Sequence, residues 1–311
     1  MTRKVITVVA LCLAIAAPAV LYPVLLMKFM CFALFACAFN LLLGYTGLLS
    51  FGHAAFFGAA GYVTGYMIKE FGAPPELGVA AGVLVALGLG ALIGSLAIRR
   101  QGIYFAMITL ALAQMVYFFF VQAPFSGGED GLQDIQRGRL FGLIDLGDDL
   151  NLYYCVLAVF AASLWLIARI VDSPFGQVVK AIRENEARAI SLGYDVARFK
   201  LIVFVISAGL SGLAGGMKAV VFKFATLADV HWHTSGEVVL MTILGGMGQV
   251  FGPLVGAGGI VALQNALADK AGSLVTVITG ASFILCVLLF RRGIVGELLR
   301  VWPGSARAAS R

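Results

Sequence analysis

Long uncharged runs separated by short polar breaks set the pattern of this chain. No charged residue appears from Val5 to Met27. Further apolar runs cover about Phe29 to Leu43, a stretch ending near Ile68, Gly78 to Ile98, Ile103 to Val121, Leu152 to Ala168 and Leu201 to Met217. Two more cover Phe251 to Ala268 and Ser273 to Phe290. Most approach the ~20 residues that a helix needs to cross a bilayer. The Val5 to Met27 run is too long for the ~7–15-residue core of a signal peptide and predicts a first spanning helix. Glu237 to Met247 is apolar but short. It reads as one arm of a helix pair joined by a glycine turn, or as a re-entrant piece. The pattern predicts an all-α polytopic membrane protein of about ten transmembrane helices, eight at the fewest, in a single domain over residues 1–311. The alternating ~10-residue segments of a membrane barrel do not occur.

Two polar interruptions are long. Ala123–Leu150 holds SGGEDGL (Ser126–Leu132), Pro124 and six acids. Asp172–Lys200 (DSPFGQVVKAIRENEARAISLGYDVARFK) is the only long charged segment. Ser173 suits an N-cap and Pro174 the first helical position. Phe175, Val178, Val179, Ile182 and Ile190 form an approximate apolar stripe. Lys180–Glu184 and Glu184–Arg188 have i,i+4 spacing, and Gly193 is a stop signal. The segment predicts one amphipathic helix of ~18 residues, about 27 Å long. A helix lying in lipid headgroups favours Lys and Arg on its polar face. Glu184 and Glu186 sit centrally here, which suits a protein groove better.

Composition agrees with a membrane solvent. The chain has 311 residues, 61% hydrophobic and 12% charged, against about 25% charged in soluble domains. The net charge of +6 belongs to topology and does not point to nucleic acid. With both termini, Arg99-Arg100, Arg169 and Asp172–Lys200 on one side, that side holds 15 of the 22 Lys and Arg. The positive-inside rule then makes it cytosolic and puts Ala123–Leu150 on the outer side, which the resemblance given below implies is periplasmic. The five cysteines lie singly within apolar runs and predict free thiols.

Glycine pairs at i,i+4 (Gly61/Gly65, Gly78/Gly82, Gly90/Gly94, Gly212/Gly216, Gly252/Gly256) predict closely packed helices. A faint internal echo links LGYTGLLSFG (Leu43–Gly52) with LGGMGQVFG (Leu244–Gly252). Glycine-broken segments in both halves of a transporter point to the solute route. Gly44, Tyr45, Gly47, His53, Gly245 and Gly248 are the candidates for that route. The bland reading of His53 is a histidine that holds the helix break in shape, and it is the favoured one.

No P-loop, HExxH or GxSxG occurs. His231 and His233 lack a third ligand, so neither a metal nor a cofactor is expected, and nothing suggests an enzyme. The spanning cores carry no Asp, Glu, Lys or Arg away from their ends, which argues against ion-coupled transport. Energy would then come from a partner, through the charged segment.

Gly44–Gly58 (GYTGLLSFGHAAFFG), SGGEDGL, SPFGQVVKAIRENEARAISLGY and Ser235–Ala257 (SGEVVLMTILGGMGQVFGPLVGA) resemble the LivM-type permeases of branched-chain amino acid ABC transporters. The resemblance extends over roughly Asn40 to Arg292. It implies an ABC importer permease in a bacterial inner membrane, without catalysis of its own. Its implied partners are a second related permease subunit, two cytosolic ATP-binding subunits and a periplasmic solute-binding protein. Arg183, Glu184, Glu186 and Gly193 fall in a stretch resembling the cytoplasmic "EAA" coupling region. There Glu186-Ala187-Arg188 replaces Glu-Ala-Ala, the glycine stands one place late, and Gln177 stands where the family often has Arg. ATP-driven closure would move this segment as a rigid body and rock the spanning helices. The competing reading is a self-contained channel or carrier for a small neutral solute such as urea or an amide.

Overall fold

The computed structural model describes residues 14–19 and 21–271, with isolated positions 280, 281, 284, 293, 294 and 296. Residues 5–13 of the expected first span and most of the expected last span lie outside the described residues, as do Cys12 and Cys286. The described helices are α1 (Pro23–Thr46), α2 (His53–Phe71), α3 (Pro75–Ala97), α4 (Ile103–Gln122), α5 (Asp149–Asp172), α6 (Pro174–Glu184), α7 (Glu186–Ser191), α8 (Val196–Phe222), α9 (Leu227–Val230), α10 (Trp232–Gly245) and α11 (Gly252–Ala271).

Five of these, α1, α3, α4, α5 and α8, are long and apolar enough to cross a membrane. Large side chains such as Ile103, Met107, Met115 and Leu84 stand exposed on α3 and α4, as a lipid-facing surface requires. α1 starts at Pro23, so residues assigned to the first apolar run open the second helix instead. Proline is harmless there because the first turn has no partner for an N–H.

α2, α3 and α8 form the tightest trio. The glycine spacing works as expected there. A Cβ on Gly82 would lie 2.6 Å from the Ala60 carbonyl oxygen, and one on Gly212 would strike Ala86. Backbones can approach this closely only where side chains are missing. α1 packs along α8, α5 and α11 and is buried on nearly every side.

At one end of the bundle lie α6, the last turn of α1 and the start of α8. At the other end residues 123–148 fold into a cap. Two 3-10 turns, Pro124–Ser126 and Gly128–Asp130, lead to a hairpin of β1 (Arg139–Leu140) and β2 (Ile144–Asp145), with Arg139 opposite Asp145. Leu132 pairs with Ala225 beyond α8. Arg137 donates to Asp149 at 2.6 Å and to the Val221 carbonyl at 2.8 Å. Leu132, Ile135 and Leu146 are buried beneath it.

The structure corrects three expectations. α8 runs on to Phe222, which brings Lys218 inside the helix. Residues 223–236, which fall in none of the predicted apolar runs, hold α9 and the start of α10. The charged segment is two helices, not one.

Candidate coupling and translocation site

The charged segment forms an elbow. Ser173 caps α6 by accepting from the Gly176 N–H at 3.2 Å, with Pro174 next. The apolar stripe turns Val179 and Ile182 inward, and Phe175 stacks on Phe199 of α8 at 5.4 Å. α6 ends at Asn185, whose extended backbone (φ −156°, ψ 97°) breaks the helix. The Asn185 side chain accepts from the Arg188 N–H at 3.0 Å and so caps α7. An Asx residue that caps a new helix competes with continuing the old one. The break separates Glu184 from Arg188, and among the described residues neither expected i,i+4 pair closes. Gly193, at φ 87°, ends α7 as expected. Its N–H donates to Ile190, and the Tyr194 N–H donates to Ala189. A left-handed stop of this kind favours glycine.

The two glutamates part company. Glu186 turns to the bundle, where Lys200 Nζ lies 2.8 Å and Gln101 Nε2 2.9 Å from its carboxylate. Lys200 is nearly buried, its side chain 7% exposed, so Glu186 supplies the counter-charge that burial requires. Glu184 stays on the exposed side, as do Ile190 and Leu192.

Arg183 is exposed along much of its length, yet its tip reaches the bundle. Its guanidinium donates to the Gly44 carbonyl, one of the last carbonyls of α1, which have no partner within the helix. Nη1 stands 3.2 Å from where a Cβ on Gly248 would be. Gly248 has φ 78°, and its N–H donates to Asn40 Oδ1 at 3.0 Å. Asn40 Nδ2 donates to the Gln249 carbonyl at 2.9 Å. One arginine and one asparagine thus join α6, the end of α1 and the turn between α10 and α11. The two segments of the internal echo meet at this joint.

His53 lies deeper, at the start of α2. Ser207 Oγ donates to the Ala38 carbonyl at 2.5 Å and therefore accepts from His53 Nε2 at 2.9 Å. Nδ1 then accepts from Ser50 Oγ at 3.2 Å, and Ser50 Oγ accepts from the Gly52 N–H. This ring is neutral and fully partnered, and Phe39, Phe56 and Phe204 meet it edge-on. It fastens α1, α2 and α8 where residues 47–52 leave helical geometry.

The family of branched-chain amino acid transport system permease components matches residues 23–290. The chain belongs to that family. It is 27% identical over 263 residues to the high-affinity branched-chain amino acid transport system permease protein LivM of Salmonella typhimurium, covering 77% of this chain and 62% of the relative. The figures for LivM of Escherichia coli are the same. The ribose import permease protein RbsC of Haemophilus influenzae is 26% identical over 201 residues, covering 61% of this chain and 56% of the relative. The chain thus spans about three-fifths of the length of the LivM relatives. No solved structure matches it.

In this family member the coupling candidates divide by direction. Glu184 faces outward, Glu186 and the tip of Arg183 reach the bundle, and Gly193 shapes the exit from α7. Of the route candidates, Gly44, Gly47 and Gly248 gather around Arg183. Tyr45 stands nearby, with Lys180 Nζ 5.8 Å from its ring centre. Gly245 packs against the Gly252 carbonyl where α10 and α11 meet, and His53 lies apart.

Three charged residues stand inside helices, each close to a helix end. Lys28 sits in α1, Lys218 in α8 and Glu237 in α10. Lys218 Nζ lies 2.6 and 2.5 Å from the two Asp229 oxygens, and Asp229 also accepts from Thr226. The apolar pattern ends the Lys218 helix at Met217 and begins a short piece at Glu237, so neither residue shows as interior in the sequence.

Proposed function

We propose that this chain is a permease subunit of an ABC importer for branched-chain or related neutral amino acids. It forms part of the translocation path and takes its driving motion from ATP-binding subunits. The observation that carries the reading is the α6–α7 elbow. It leaves the apolar bundle, offers Glu184, Ile190 (58% exposed) and Leu192 (69% exposed), and is tied to α1 through Arg183. Exposed large apolar residues beside charge suit a protein groove.

In this reading the elbow is cytosolic, both termini are cytosolic, and the membrane is a bacterial inner membrane. Two cytosolic ATP-binding subunits hold the elbows of this chain and of a second, related permease subunit. The cap over residues 123–150 faces the periplasm and receives a solute-binding protein. Closure of the ATP-binding subunits displaces α6, and Arg183 carries that displacement to α1 and the α10–α11 turn. Co-purification of the assembled complex tests it. Ile190→Asp with Leu192→Asp should release the ATP-binding subunits while this chain still inserts. Retention of those subunits by the double variant would overturn the docking role.

A further inference from the structure

The hairpin in the cap has an uncharged tip, Leu140-Phe141-Gly142-Leu143-Ile144, although the segment around it is rich in acids. Phe141 is 73% exposed and Leu143 88%, and Ile144 is exposed beside them. Charge returns only at the foot of the tip, where Arg139 stands opposite Asp145. Neither the elbow nor the joint around Arg183 uses these side chains.

The tip sits at a defined height. The Phe141 N–H donates at 3.1 Å to Oε1 of Glu76, in the first turn of α3. A Cβ on Gly138 would stand 3.3 Å from Pro75 Cδ. On the other side Asn151 Nδ2 of α5 donates to the Asp145 carbonyl at 3.2 Å. α3 has 23 residues, about 34 Å of helix, slightly more than the ~30 Å hydrocarbon core of a bilayer. Its first turn therefore lies where acyl chains meet headgroups. Leu77 and Leu84 are exposed along α3 from that turn onward, so the tip continues a lipid-facing surface.

The turn itself is a second, independent sign. The Leu143 N–H donates to the Leu140 carbonyl at 3.0 Å, and the two residues between them have φ 48° and 73°. Asn-Gly or Asp-Gly suits such a turn, and a bulky residue at positive φ is an outlier. Phe141 thus holds a place that its own backbone disfavours. Outliers of this kind cluster where function holds them, and aromatic rings concentrate at the headgroup level of membranes. The height beside Glu76 and the continuity with Leu77 and Leu84 favour lipid over a protein partner.

We infer that the hairpin tip is an interfacial anchor whose partner is a phospholipid surface. Phe141 and Leu143 sit among the headgroups and upper acyl chains of the leaflet on the cap's side. The anchor holds the cap to the bilayer at the mouths of α3 and α5. It depends neither on the import reading nor on which side of the membrane the cap faces.

The test uses the full chain in vesicles of phosphatidylethanolamine and phosphatidylglycerol. Trp165, Trp232 and Trp302 are replaced by Phe, and Leu143→Trp supplies the reporter. An indole about 5–10 Å into the interface should lose about half of its emission to lipids brominated near the headgroup, and less to lipids brominated near the chain ends. Phe141→Asn suits the turn and removes the ring, so insertion should hold while that quenching weakens by about half. An indole that neither lipid quenches overturns the anchor. So does one that is shielded from aqueous acrylamide only when the second permease subunit or the binding protein is added, which would make the tip a protein interface. Quenching indifferent to Phe141→Asn overturns the part assigned to the ring. Each of these results leaves the import reading standing.

Discussion

Arg183 of α6 donates to the carbonyl of Gly44 in the last turn of α1. The bond ties a helix outside the bundle to one buried inside it. A hydrogen bond from a charged donor contributes about 1.5–3 kcal/mol, enough to make the two helices move together. Arg183→Met keeps the length of the side chain and removes the donor. The expected result is a complex that assembles and hydrolyses ATP but moves about tenfold less solute per ATP. Parallel uptake and hydrolysis measurements on reconstituted complexes check this, and an unchanged ratio would remove Arg183 from the transmission.

The far side of the joint depends on Gly248 and Asn40. Gly248 has φ 78°, and a Cβ there would meet Arg183 Nη1 and the Gly44 carbonyl, both at 3.2 Å. A left-handed conformation costs an L-residue about 1–2 kcal/mol. Gly248→Ala should lower thermal stability in detergent by roughly that amount. Asn40→Leu removes both bonds to the turn and leaves buried polar groups unmet, at about 1–3 kcal/mol each. It should be the more damaging of the two, and the reverse order would mean that the backbone conformation, not the asparagine, fixes the turn.

Periodicity made most of the spanning helices legible, because a helix in lipid must satisfy its backbone internally and be apolar for its whole length. The glycine pairs announced the α2–α3–α8 packing for a similar reason. Interactions between distant segments were not legible. Nothing near Arg183 in sequence points to Gly44, 139 residues away. Asn40 and the echo motif each stood out alone, but their meeting is a fact of the fold. The break at Asn185 does have a sequence signal, since an Asx residue ahead of Glu-Ala-Arg is an N-cap pattern. The placement of Lys218 is not legible because helix ends are the least defined boundaries, and its burial depends on Asp229, which follows the turn after α8.

Glu184 and Glu186 look alike in sequence and should behave oppositely. Glu186 neutralises the buried Lys200 and bonds Gln101. Glu186→Ala leaves that ammonium without a partner, which costs several kcal/mol at buried sites, so ~1–3 kcal/mol is expected at this partly exposed one. Thermal unfolding and limited proteolysis of the elbow should both register it. Glu184→Lys should leave thermal stability within about 0.5 kcal/mol, as surface changes do, while weakening capture of the ATP-binding subunits. Equal effects of the two changes on both measurements would mean that the elbow has no inner and outer face.

The Lys218–Asp229 pair gives the sharpest contrast between removing half of an interaction and removing all of it. Both side chains are nearly buried, at 10% and 12% exposure. Lys218→Met alone leaves a carboxylate in the bundle, with only Thr226 to meet it. Breaking a buried pair in this way costs about 3–5 kcal/mol, whereas replacing both charges with apolar groups is often close to neutral. Lys218→Met with Asp229→Leu should therefore be more stable than Lys218→Met by itself, although it carries one more substitution. The recovery should stop short of wild type, because Asp229→Leu also removes the capping box at the start of α9, worth about 0.5–2 kcal/mol. Unfolding midpoints of the two variants decide the matter. A double variant less stable than the single one would show that Asp229 serves the cap more than the pair.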